Sequence, residues 1–600
     1  MPRRFALLTL VLGAAVLAPS ASAAGRFEAC SPNGVQCATL SVPLDHAGKT
    51  AGQVPLYVEE LPATGTPHGV MLMLAGGPGQ ASAETFDLAK RGVYWQSYFP
   101  GYTLVAYDDR GTGKSGPLDC STAVTISGCA AAIPSPAFYA TRDHAEDIES
   151  VRLALGVDKV AIFGVSYGTK HAVAYALAHP THVERLLLDS ELLPDRDILG
   201  TDSLRAIPGS VDGICAAGAC PTLPANPGPT LVTLANTLVD APLIGNVTPT
   251  PDGTVAIRVD GDELLSLAYE SDLSSGISSQ LPAAVDAAVR GWPLPLERLS
   301  ALNDILNKTI TNDVNVGLYY ATTCADGPFP WTPSDTIATR ESGLNAAIAA
   351  LPPGSTGAFG AWTLDDAVAW PCVFWPAPSG GAALGAGPLP DVPTLVLSGD
   401  RDIRTPTSSA VAMAARFAHG QVLVVPGSGH SVLSRSACAA NAVRGWLTGS
   451  TPPATCSRIS LGVPPLGRWR RTVAATPPIA HVSGLVGRTL AALIQTLHDG
   501  EDAWLLGRQT STTITGLVGG RMVPDPTSLV TFEGYSSVGG LVLSGKIVLK
   551  LGADGQPVIP LTAASGSLRV SGNGAAHGTL KAKGNRLTGT LAGKPVAVSF

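Results

Sequence analysis

Short apolar runs without alternation recur along the first three quarters of the chain. They occupy residues 70–74, 104–107, 160–163, 393–397 and 422–425. Such runs predict strands that are buried on both faces, as in a mainly parallel sheet. Residues 169–178 repeat small and apolar side chains with a helical period, and Pro180 ends that pattern. These patterns together predict an α/β domain.

The pattern changes near the carboxyl end. From about residue 503, short runs rich in Val, Leu, Thr and Ile alternate with Gly, Asn and Asp, as in residues 541–551 and 584–591. This spacing predicts a small antiparallel β domain. Residues 486–497 fit one helix, which a linker precedes.

One strand-to-helix junction carries a motif for nucleophilic catalysis. Gly164-Val165-Ser166-Tyr167-Gly168 follows the apolar run directly and opens the helical pattern. In this context the motif predicts a nucleophile elbow, a sharp turn that presents Ser166 for attack. Side chains at the two glycine positions would collide with the neighbouring strand or helix.

A serine hydroxyl needs a base, and the base needs an acid to orient it. The chain order of an elbow fold is Ser, then Asp or Glu, then His. His430 follows the run 422–425 among small residues, whereas His419 precedes that run and is the weaker candidate. Asp400 and Asp402 both follow the run 393–397, and we choose Asp402 because the second position should point inward.

Two backbone groups are candidates for an oxyanion hole. One is the N–H of Tyr167, immediately after the nucleophile. The other is the N–H of Gly77, or of its neighbour Gly76, in a glycine-rich loop after the strand 70–74. The loop 108–115 lacks the spacing of a phosphate-binding loop and is interpreted as part of the site floor.

These residues together resemble the α/β-hydrolase fold, and more narrowly the secreted tripeptidyl/prolyl aminopeptidase family of serine peptidases. The resemblance covers about residues 27–456, and its blocks are 37–46, 76–79, 108–115, 164–168, 399–406 and 429–430. It implies a triad of Ser166, Asp402 and His430 that hydrolyses an amide bond near a free peptide N-terminus, without a metal or organic cofactor. The chain departs from the family pattern at Ala75, where His is frequent, and at Asp109, where Gln is frequent.

About 235 residues separate the predicted nucleophile from the predicted acid, far more than the fold needs. Residues 195–385 are therefore predicted to form a mainly helical cap. Helices are expected at 229–239, 262–270, 281–290 and 297–307. Acidic residues of such a cap typically hold the substrate ammonium group in the family. Glu191 and Asp326 are the candidates, and the alternative for each is a solvated or structural carboxylate.

Charge and cysteine content divide the chain into two parts. The net charge of the 600 residues is −7, but residues 457–600 carry 14 basic and 6 acidic side chains, a balance of +8. The net charge of −7 and a pI near 5.9 argue against nucleic acid as the main partner. The basic tail could contact anionic cell-wall polymers, although a packing role is the simpler interpretation.

No run after the N-terminus approaches the length of a membrane span.

The chain begins with the pattern of a secretory signal. Arg3 and Arg4 precede an apolar run at 5–17, and Ala21-Ser22-Ala23 fits a cleavage site, so residues 1–23 are predicted to be removed. All ten cysteines lie at or before Cys456, and export favours disulfides. Pairing of sequence neighbours predicts Cys30–Cys37, Cys120–Cys129, Cys215–Cys220, Cys324–Cys372 and Cys438–Cys456.

The predicted organisation is a signal peptide, a hydrolase core in two parts around a cap, and a tail. The ranges are 1–23, 24–194 for the first core part, 195–385 for the cap, 386–458 for the second core part, 459–502 for a linker and helix, and 503–600 for the β domain. The predicted function is an exported serine exopeptidase that acts on peptide N-termini. The alternatives are a secreted carboxylesterase or lipase with the same triad, and a cell-wall-binding protein with a vestigial hydrolase body.

Overall fold

A nine-stranded mixed sheet forms the body of the protein in the computed structural model. The structure describes residues 26–220, 222–310, 314–332, 334–376, 389–460, 463–507, 513–525, 528–552, 558 and 562–600. The predicted signal peptide, residues 1–23, and the predicted cap boundary at residue 385 lie outside the described residues. The strands are β1 (Glu28–Ala29), β2 (Gln36–Pro43), β3 (Gln53–Leu61), β4 (Gly69–Leu74), β5 (Tyr102–Tyr107), β6 (Val160–Val165), β7 (Val183–Asp189), β10 (Thr394–Gly399) and β11 (Gly420–Val425).

The strand order is β1-β2-β3-β5-β4-β6-β7-β10-β11. Strands β1, β2, β3 and β5 pair antiparallel, and the pairs from β5 through β11 are parallel. The parallel strands are apolar because helices cover both faces of the sheet. The helices of this body are α1 (Ser82–Phe86), α2 (Leu88–Gln96), α3 (Ile126–Ala132), α4 (Thr141–Leu155), α5 (Tyr167–Ala178), α14 (Thr407–Ala414) and α15 (Ala437–Leu447). The fold is thus the α/β architecture predicted from the apolar runs.

The insertion between β7 and β10 is mainly helical. Its helices are α6 (Thr201–Ile214), α7 (Gly228–Asp240), α8 (Gly261–Glu270), α9 (Ser275–Val289), α10 (Leu294–Ile310), α11 (Val316–Asp326), α12 (Ile337–Ala349) and α13 (Ala369–Val373). Helices α7 to α10 overlap the four predicted helical stretches, although α9 begins six residues earlier than predicted. The structure adds a hairpin of β8 (Leu243–Thr250) and β9 (Gly253–Val259), which our sequence analysis missed.

The carboxyl-terminal segment combines one long helix with an antiparallel sheet. Helix α16 (Gly484–Gly507) extends beyond the predicted boundary at residue 502. The sheet follows chain order through β12 (Ile514–Thr515), β13 (Gly519–Pro524), β14 (Leu529–Ser536), β15 (Val542–Leu549), β16 (Ala563–Ser571), β17 (Gly578–Gly584), β18 (Arg586–Leu591) and β19 (Lys594–Ser599). Its buried face shares one apolar core with α16 and the cap.

Buried polar contacts fix α16 to the cap. The Arg298 guanidinium on α10 lies 2.7 Å from the Asp499 carboxylate on α16, and the Tyr535 hydroxyl donates to the same carboxylate at 2.6 Å. The Ser279 hydroxyl on α9 donates to Asp502 at 2.5 Å. The β-rich segment is therefore joined to the cap by an ion pair and hydrogen bonds as well as by apolar packing.

The ten cysteines form five disulfides between sequence neighbours. The pairs are Cys30–Cys37, Cys120–Cys129, Cys215–Cys220, Cys324–Cys372 and Cys438–Cys456. Such bonds persist in oxidising compartments. Within the described ranges, no helix combines the length and the apolar character needed to cross a membrane.

Candidate active site

Ser166 occupies a strained turn between β6 and α5. Its φ is +53° and its ψ is −122°, a backbone conformation that non-glycine residues rarely adopt. The glycine that follows in the motif permits close packing, because a Cβ on Gly168 would lie 2.5 Å from the carbonyl oxygens of Leu74 and Ala75. The turn therefore presents the serine at the carboxyl end of the sheet, in the geometry of a nucleophile elbow.

Asp402 and His430 form a buried pair at the same end of the sheet. The Nδ1 atom of His430 lies 3.1 and 3.0 Å from the two carboxylate oxygens of Asp402. Thr405 donates to that carboxylate from its backbone N–H at 2.8 Å and from its hydroxyl at 2.7 Å. These contacts hold the carboxylate in position to orient the imidazole.

The other candidates for base and acid occupy different surroundings. Asp400 accepts from the Gly427 N–H at 2.7 Å and pairs with Arg458 at 3.0 Å, on the outer side of the loop. His419 is exposed and lies 3.6 Å from Asp391. Of the two Asp and two His candidates, only Asp402 and His430 contact each other in the described ranges.

Strand order places Ser166 and the pair at the same edge of the sheet. Ser166 follows β6, Asp402 follows β10 and His430 follows β11. These parallel strands are near neighbours in the sheet, because only β7 lies between β6 and β10. The Ser431 N–H donates to Ser190 at 2.8 Å, which ties the histidine loop to the end of β7. Within the described ranges no hydrogen bond joins Ser166 to His430. Such bonds are often long before substrate binds.

The electrostatics of the pair suit a general base. Burial lowers the pKa of His430, but the charge and hydrogen bond of Asp402 and the charge of Asp272 outweigh it, so the pKa is raised. Burial raises the pKa of Asp402, but His430 and the Thr405 hydrogen bonds outweigh it, so the pKa is lowered. Asp402 is therefore the ionised partner that stabilises a protonated imidazole.

Asp272, at the end of α8 in the cap, is a residue that sequence reasoning missed. Its carboxylate accepts from the backbone N–H of Ile403 at 2.9 Å and from that of Arg404 at 3.3 Å, and it pairs with the Arg404 guanidinium. Its carbonyl oxygen accepts the backbone N–H of His430 at 3.1 Å. One cap residue thus holds both loops of the pair, and no motif in the sequence signals it.

The predicted oxyanion donors lie beside the nucleophile. A Cβ on Gly76 would lie 2.8 Å from the Ser166 Cβ, which measures how closely this loop approaches the elbow. The Gly76 N–H is already engaged by the Gln80 side chain at 3.2 Å. Gly77 has a φ of +106°, and no acceptor for its N–H is found in the described ranges. The Gly77 N–H is therefore a better candidate than the Gly76 N–H for the oxyanion hole, where it would act together with the Tyr167 N–H at the start of α5.

A cavity of about 560 Å³ opens above Ser166 between the core and the cap. Its volume lies in the range of small-ligand sites. The core contributes Gly77, Ser166 and Tyr167 to its lining, and the cap contributes apolar and acidic side chains. Those from the cap include Leu199, Leu204, Asp262, Leu265, Tyr269, Tyr319, Asp326 and Asp366.

Asp326 lines this cavity but is already engaged. Its carboxylate accepts from the Tyr167 hydroxyl at 2.5 Å and from the Thr141 backbone N–H at 2.9 Å, and it also accepts from the Thr141 hydroxyl. It also lies 3.0 Å from the Lys170 ammonium. The Lys170 charge and these hydrogen bonds outweigh burial and lower the pKa of Asp326. The contacts are those of a structural carboxylate, the alternative that the sequence left open.

Glu191 does not line the cavity, although the next two residues, Leu192 and Leu193, do. Its side chain is buried, and neither carboxylate oxygen has a hydrogen-bond partner in the described ranges. Burial raises the pKa of Glu191 well above its usual range. A neutral carboxyl behind the wall does not fit the predicted role of binding an ammonium group.

Two family models match the chain. The first describes the alpha/beta hydrolase fold and matches residues 69–208. The second describes a TAP-like protein and matches residues 358–458. The two matches contain Ser166 in the first segment and both members of the Asp402–His430 pair in the second. The α/β-hydrolase fold predicted from the sequence is confirmed.

The chain is also similar to peptidases of known name. It is 30% identical to a tripeptidyl aminopeptidase of Streptomyces lividans over 31% of this chain and 42% of that protein. It is 27% identical to the serine protease Hip1 of Mycobacterium tuberculosis over 70% of this chain and 86% of that protein. It is 34% identical to a proline iminopeptidase of Neisseria gonorrhoeae over 22% of this chain and 35% of that protein. The chain thus matches less than half the length of the first of these relatives.

Proposed function

Because this chain is an α/β-hydrolase related to serine peptidases, we propose that it is a serine exopeptidase that hydrolyses amide bonds near the free N-terminus of peptides. The observation that carries the proposal is the buried Asp402–His430 pair beside the Ser166 elbow, under a cap-covered cavity. The similarity to a tripeptidyl aminopeptidase and a proline iminopeptidase supports the choice of peptides over simple esters.

In the proposed reaction, the Ser166 hydroxyl attacks the scissile carbonyl carbon and His430 accepts its proton at Nε2. Asp402 holds Nδ1 and stabilises the imidazolium that forms. The N–H groups of Gly77 and Tyr167 donate to the oxyanion of the tetrahedral intermediate. His430 then returns the proton to the leaving amine, an acyl-enzyme remains on Ser166, and water releases the acyl group by the same steps in reverse.

The cap supplies the restriction to chain ends in this proposal. A cavity of about 560 Å³ between the core and the cap accommodates a short peptide segment, and the cap side chains that line it leave less room for an uninterrupted chain. The acyl part of the substrate, which carries the free ammonium group, therefore occupies the cavity above Ser166.

We propose that Asp262 and Asp366 receive this ammonium group, in place of Glu191 and Asp326. Both line the cavity, and within the described ranges no Lys or Arg forms an ion pair with either. Burial raises the pKa of Asp262, and the negative charges of Asp366, Asp260 and Asp365 raise it further. A bound cation would relieve this repulsion between carboxylates.

The nucleophile is tested with Ser166→Ala. The purified variant is expected to fold and to lose activity by several orders of magnitude on tripeptidyl and aminoacyl amides. Labelling of the wild type, but not of the variant, by a fluorophosphonate probe is the expected companion result. Near-normal hydrolysis by the variant would contradict the mechanism.

The exopeptidase assignment is tested by blocking the substrate amine. Acetylation of the N-terminus should abolish hydrolysis of the matched fluorogenic peptide, whereas an esterase would hydrolyse acyl esters better than either peptide.

The ammonium-binding residues are tested with a double variant. Asp262→Asn with Asp366→Asn should raise KM for the free peptide with a smaller change in kcat. Glu191→Gln is the matched control and should leave the ratio of free to blocked substrates unchanged.

We further propose that the protein is exported and contacts an anionic polymer through its carboxyl-terminal sheet. Five disulfides favour an oxidising compartment, and the pattern of residues 1–23 favours export. The exposed face of the sheet carries Lys546, Arg569 and Lys581 among hydroxyl side chains, and strands β15 to β18 contain no acidic residue.

The register concentrates this charge. Lys546 and Lys581 both lie opposite Ser567 on successive strands, and Lys583 lies directly opposite Arg586. Like charges that face each other across strands repel, so a polyanion would stabilise the face. Retention of the full chain on immobilised polyphosphate, measured against salt, tests the proposal. The double variant Lys546→Ser with Lys581→Ser should be retained more weakly, and the control Lys90→Ser on the core should be retained as the wild type is. Equal retention of the double variant and the control would refute the proposed contact with a polyanion.

A further inference from the structure

Three buried side chains with metal-ligating atoms converge beneath the nucleophile helix. Asp109 follows β5, His144 lies on α4 and His171 lies on α5. One ligating atom from each lies within 4.8 Å of those of the other two. The Nδ1 atoms of His171 and His144 are 3.4 and 3.9 Å from the Asp109 carboxylate. We call these three residues the histidine cluster.

The histidine cluster contains an unusual number of polar atoms without partners. Both ring nitrogens of His144, both of His171 and one carboxylate oxygen of Asp109 are buried and have no hydrogen bond within the described parts of the chain. Fewer than one in ten buried polar groups is normally left in this state, and each costs about 1–3 kcal/mol. Five such atoms in three neighbouring side chains indicate a ligand that satisfies one atom from each residue.

The charge around the histidine cluster favours a cation. The nearest guanidinium, that of Arg110, makes two 2.6 Å hydrogen bonds to Asp147 and is committed there. The close neighbours of Asp109 are therefore the two imidazoles and the buried Tyr107 hydroxyl. A buried carboxylate without a cationic partner is strongly unfavourable.

We propose that Asp109, His144 and His171 bind one divalent transition-metal ion, of which Zn²⁺ is the best match. Two imidazole nitrogens and one carboxylate oxygen form a donor set that zinc accepts, with ligand distances of about 2.0–2.2 Å. Ligands at those distances around a tetrahedral ion lie about 3.3–3.6 Å apart. The His171 Nδ1 atom lies 3.4 Å from one carboxylate oxygen of Asp109, whereas the His144 Nδ1 atom lies 3.9 Å from the other oxygen, so His144 must move to share the ion. The two rings stack with 4.4 Å between centroids and 15° between planes, so one ring must rotate for both to face the ion.

The metal would be structural rather than catalytic. His171 lies on the helix that begins directly after Ser166, and its ring contacts that of Tyr167 at 5.3 Å between centroids. An ion on the histidine cluster would join the loop after β5 to α4 and α5, and so would hold the helix that supports the nucleophile. No spacing in the sequence indicates such a site, because its ligands are 35 and 27 residues apart.

A second group of similar composition provides a matched control. Glu149, His179 and His182 also lie within ligating distance of one another, but they are only half-buried. Their polar atoms are already paired, since Glu149 binds Arg152 at 2.6 Å and His182 at 3.2 Å. We therefore expect no tight metal binding there.

The experiment uses the full chain, produced without a polyhistidine tag. The protein is incubated with Zn²⁺, desalted and analysed for metal by mass spectrometry, and a parallel sample with Co²⁺ is examined by visible absorption. We expect about one zinc per chain, a cobalt spectrum typical of mixed nitrogen and oxygen ligands, and a lower thermal midpoint after treatment with a chelator. His171→Gln should reduce the retained zinc at least tenfold, and His179→Gln should not.

Three results would overturn the proposal. They are wild-type protein without zinc or cobalt above the desalting blank, equal zinc in the wild type and His171→Gln, and loss of zinc in His179→Gln. If His171→Gln does not fold, retention of one zinc by both the wild type and His179→Gln, with the chelator-sensitive midpoint, supports the site. None of these readouts depends on peptidase activity.

Discussion

Asp272→Asn is expected to impair catalysis although the residue does not touch the reacting atoms. The carboxylate of Asp272 joins the cap to the Asp402 loop through Ile403 and Arg404. Asparagine keeps the size of the side chain and one acceptor oxygen, but it loses the negative charge. The Asp402 loop then loses one of its two ionic contacts with the cap, because Arg404 keeps its 2.6 Å pair with Glu270.

The size of the effect follows from the lost contact. A buried hydrogen bond to a charged group contributes about 1.5–3 kcal/mol. If that free energy holds the loop in its productive position, then kcat/KM falls about ten- to a hundredfold, since each 1.36 kcal/mol is a factor of ten. Loss of the triad carboxylate itself, in Asp402→Asn, should cost about 10⁴-fold.

The sign of the pH effect separates positioning from general damage. Asp272 is one of the negative charges that raise the pKa of His430 against the effect of burial. His430 must be neutral to accept the proton, so activity is lost as pH falls through this pKa. Without the Asp272 charge the pKa falls, and the acid limb of kcat/KM against pH should move to lower pH.

The assay measures kcat/KM against pH for the wild type, Asp272→Asn and the control Asp252→Asn, which changes an exposed carboxylate on the cap hairpin. The control should match the wild type throughout. Full activity of Asp272→Asn with an unmoved acid limb would refute the positioning role. A large loss with an unmoved limb would show that the charge does not reach the imidazole.

Three further changes test the packing around the site. Gly168→Ala places a Cβ 2.5 Å from two carbonyl oxygens and should cost about 3 kcal/mol and most activity, whereas Gly209→Ala on α6 has open space and should be neutral in thermal unfolding and hydrolysis. Cys324→Ser with Cys372→Ser opens a loop of 48 residues and should destabilise the cap by about 4 kcal/mol, detected as faster limited proteolysis. Arg298→Met leaves a buried carboxylate on α16 unpaired and should cost about 3–5 kcal/mol, detected as a lower thermal midpoint and earlier cleavage before the carboxyl-terminal sheet. Unchanged proteolysis or unchanged midpoints would contradict the last two.

The parts of the site that could be predicted are those that short sequence motifs indicate. The elbow at Ser166 follows from one five-residue motif between a strand and a helix, and the Asp402–His430 pair follows from strand ends whose order the fold dictates. Four of the eight described cap helices, α7 to α10, overlap predicted stretches, whereas α6, α11, α12 and α13 were not predicted. In each case the information lies within a few residues of the position predicted.

The parts that could not be predicted depend on contacts between distant segments. Asp272 contacts the triad loops across more than a hundred residues of sequence, and its own surroundings resemble any helix end. Glu191 looked suitable because it follows a strand that borders the site, but one residue decides whether a side chain faces the cavity or the core. The charges of Lys170 and Asp326 cancel only because α5 meets α11 in space.

The cap is fixed to the loops that carry Asp402 and His430. Its residue Asp272 accepts the backbone N–H of His430 and pairs with Arg404, and its residue Arg298 pairs with Asp499 on α16. A cap that swung open as a rigid body would have to break the first set of contacts and so disorder the base. On the α11 side the cap is also tied to the core, because Asp326 accepts from the Tyr167 hydroxyl at 2.5 Å and from the Thr141 backbone N–H at 2.9 Å. The carboxyl-terminal segment binds cap helices α9 and α10 through Ser279 and Arg298, and so it adds a further restraint to a cap that is already fixed to the core.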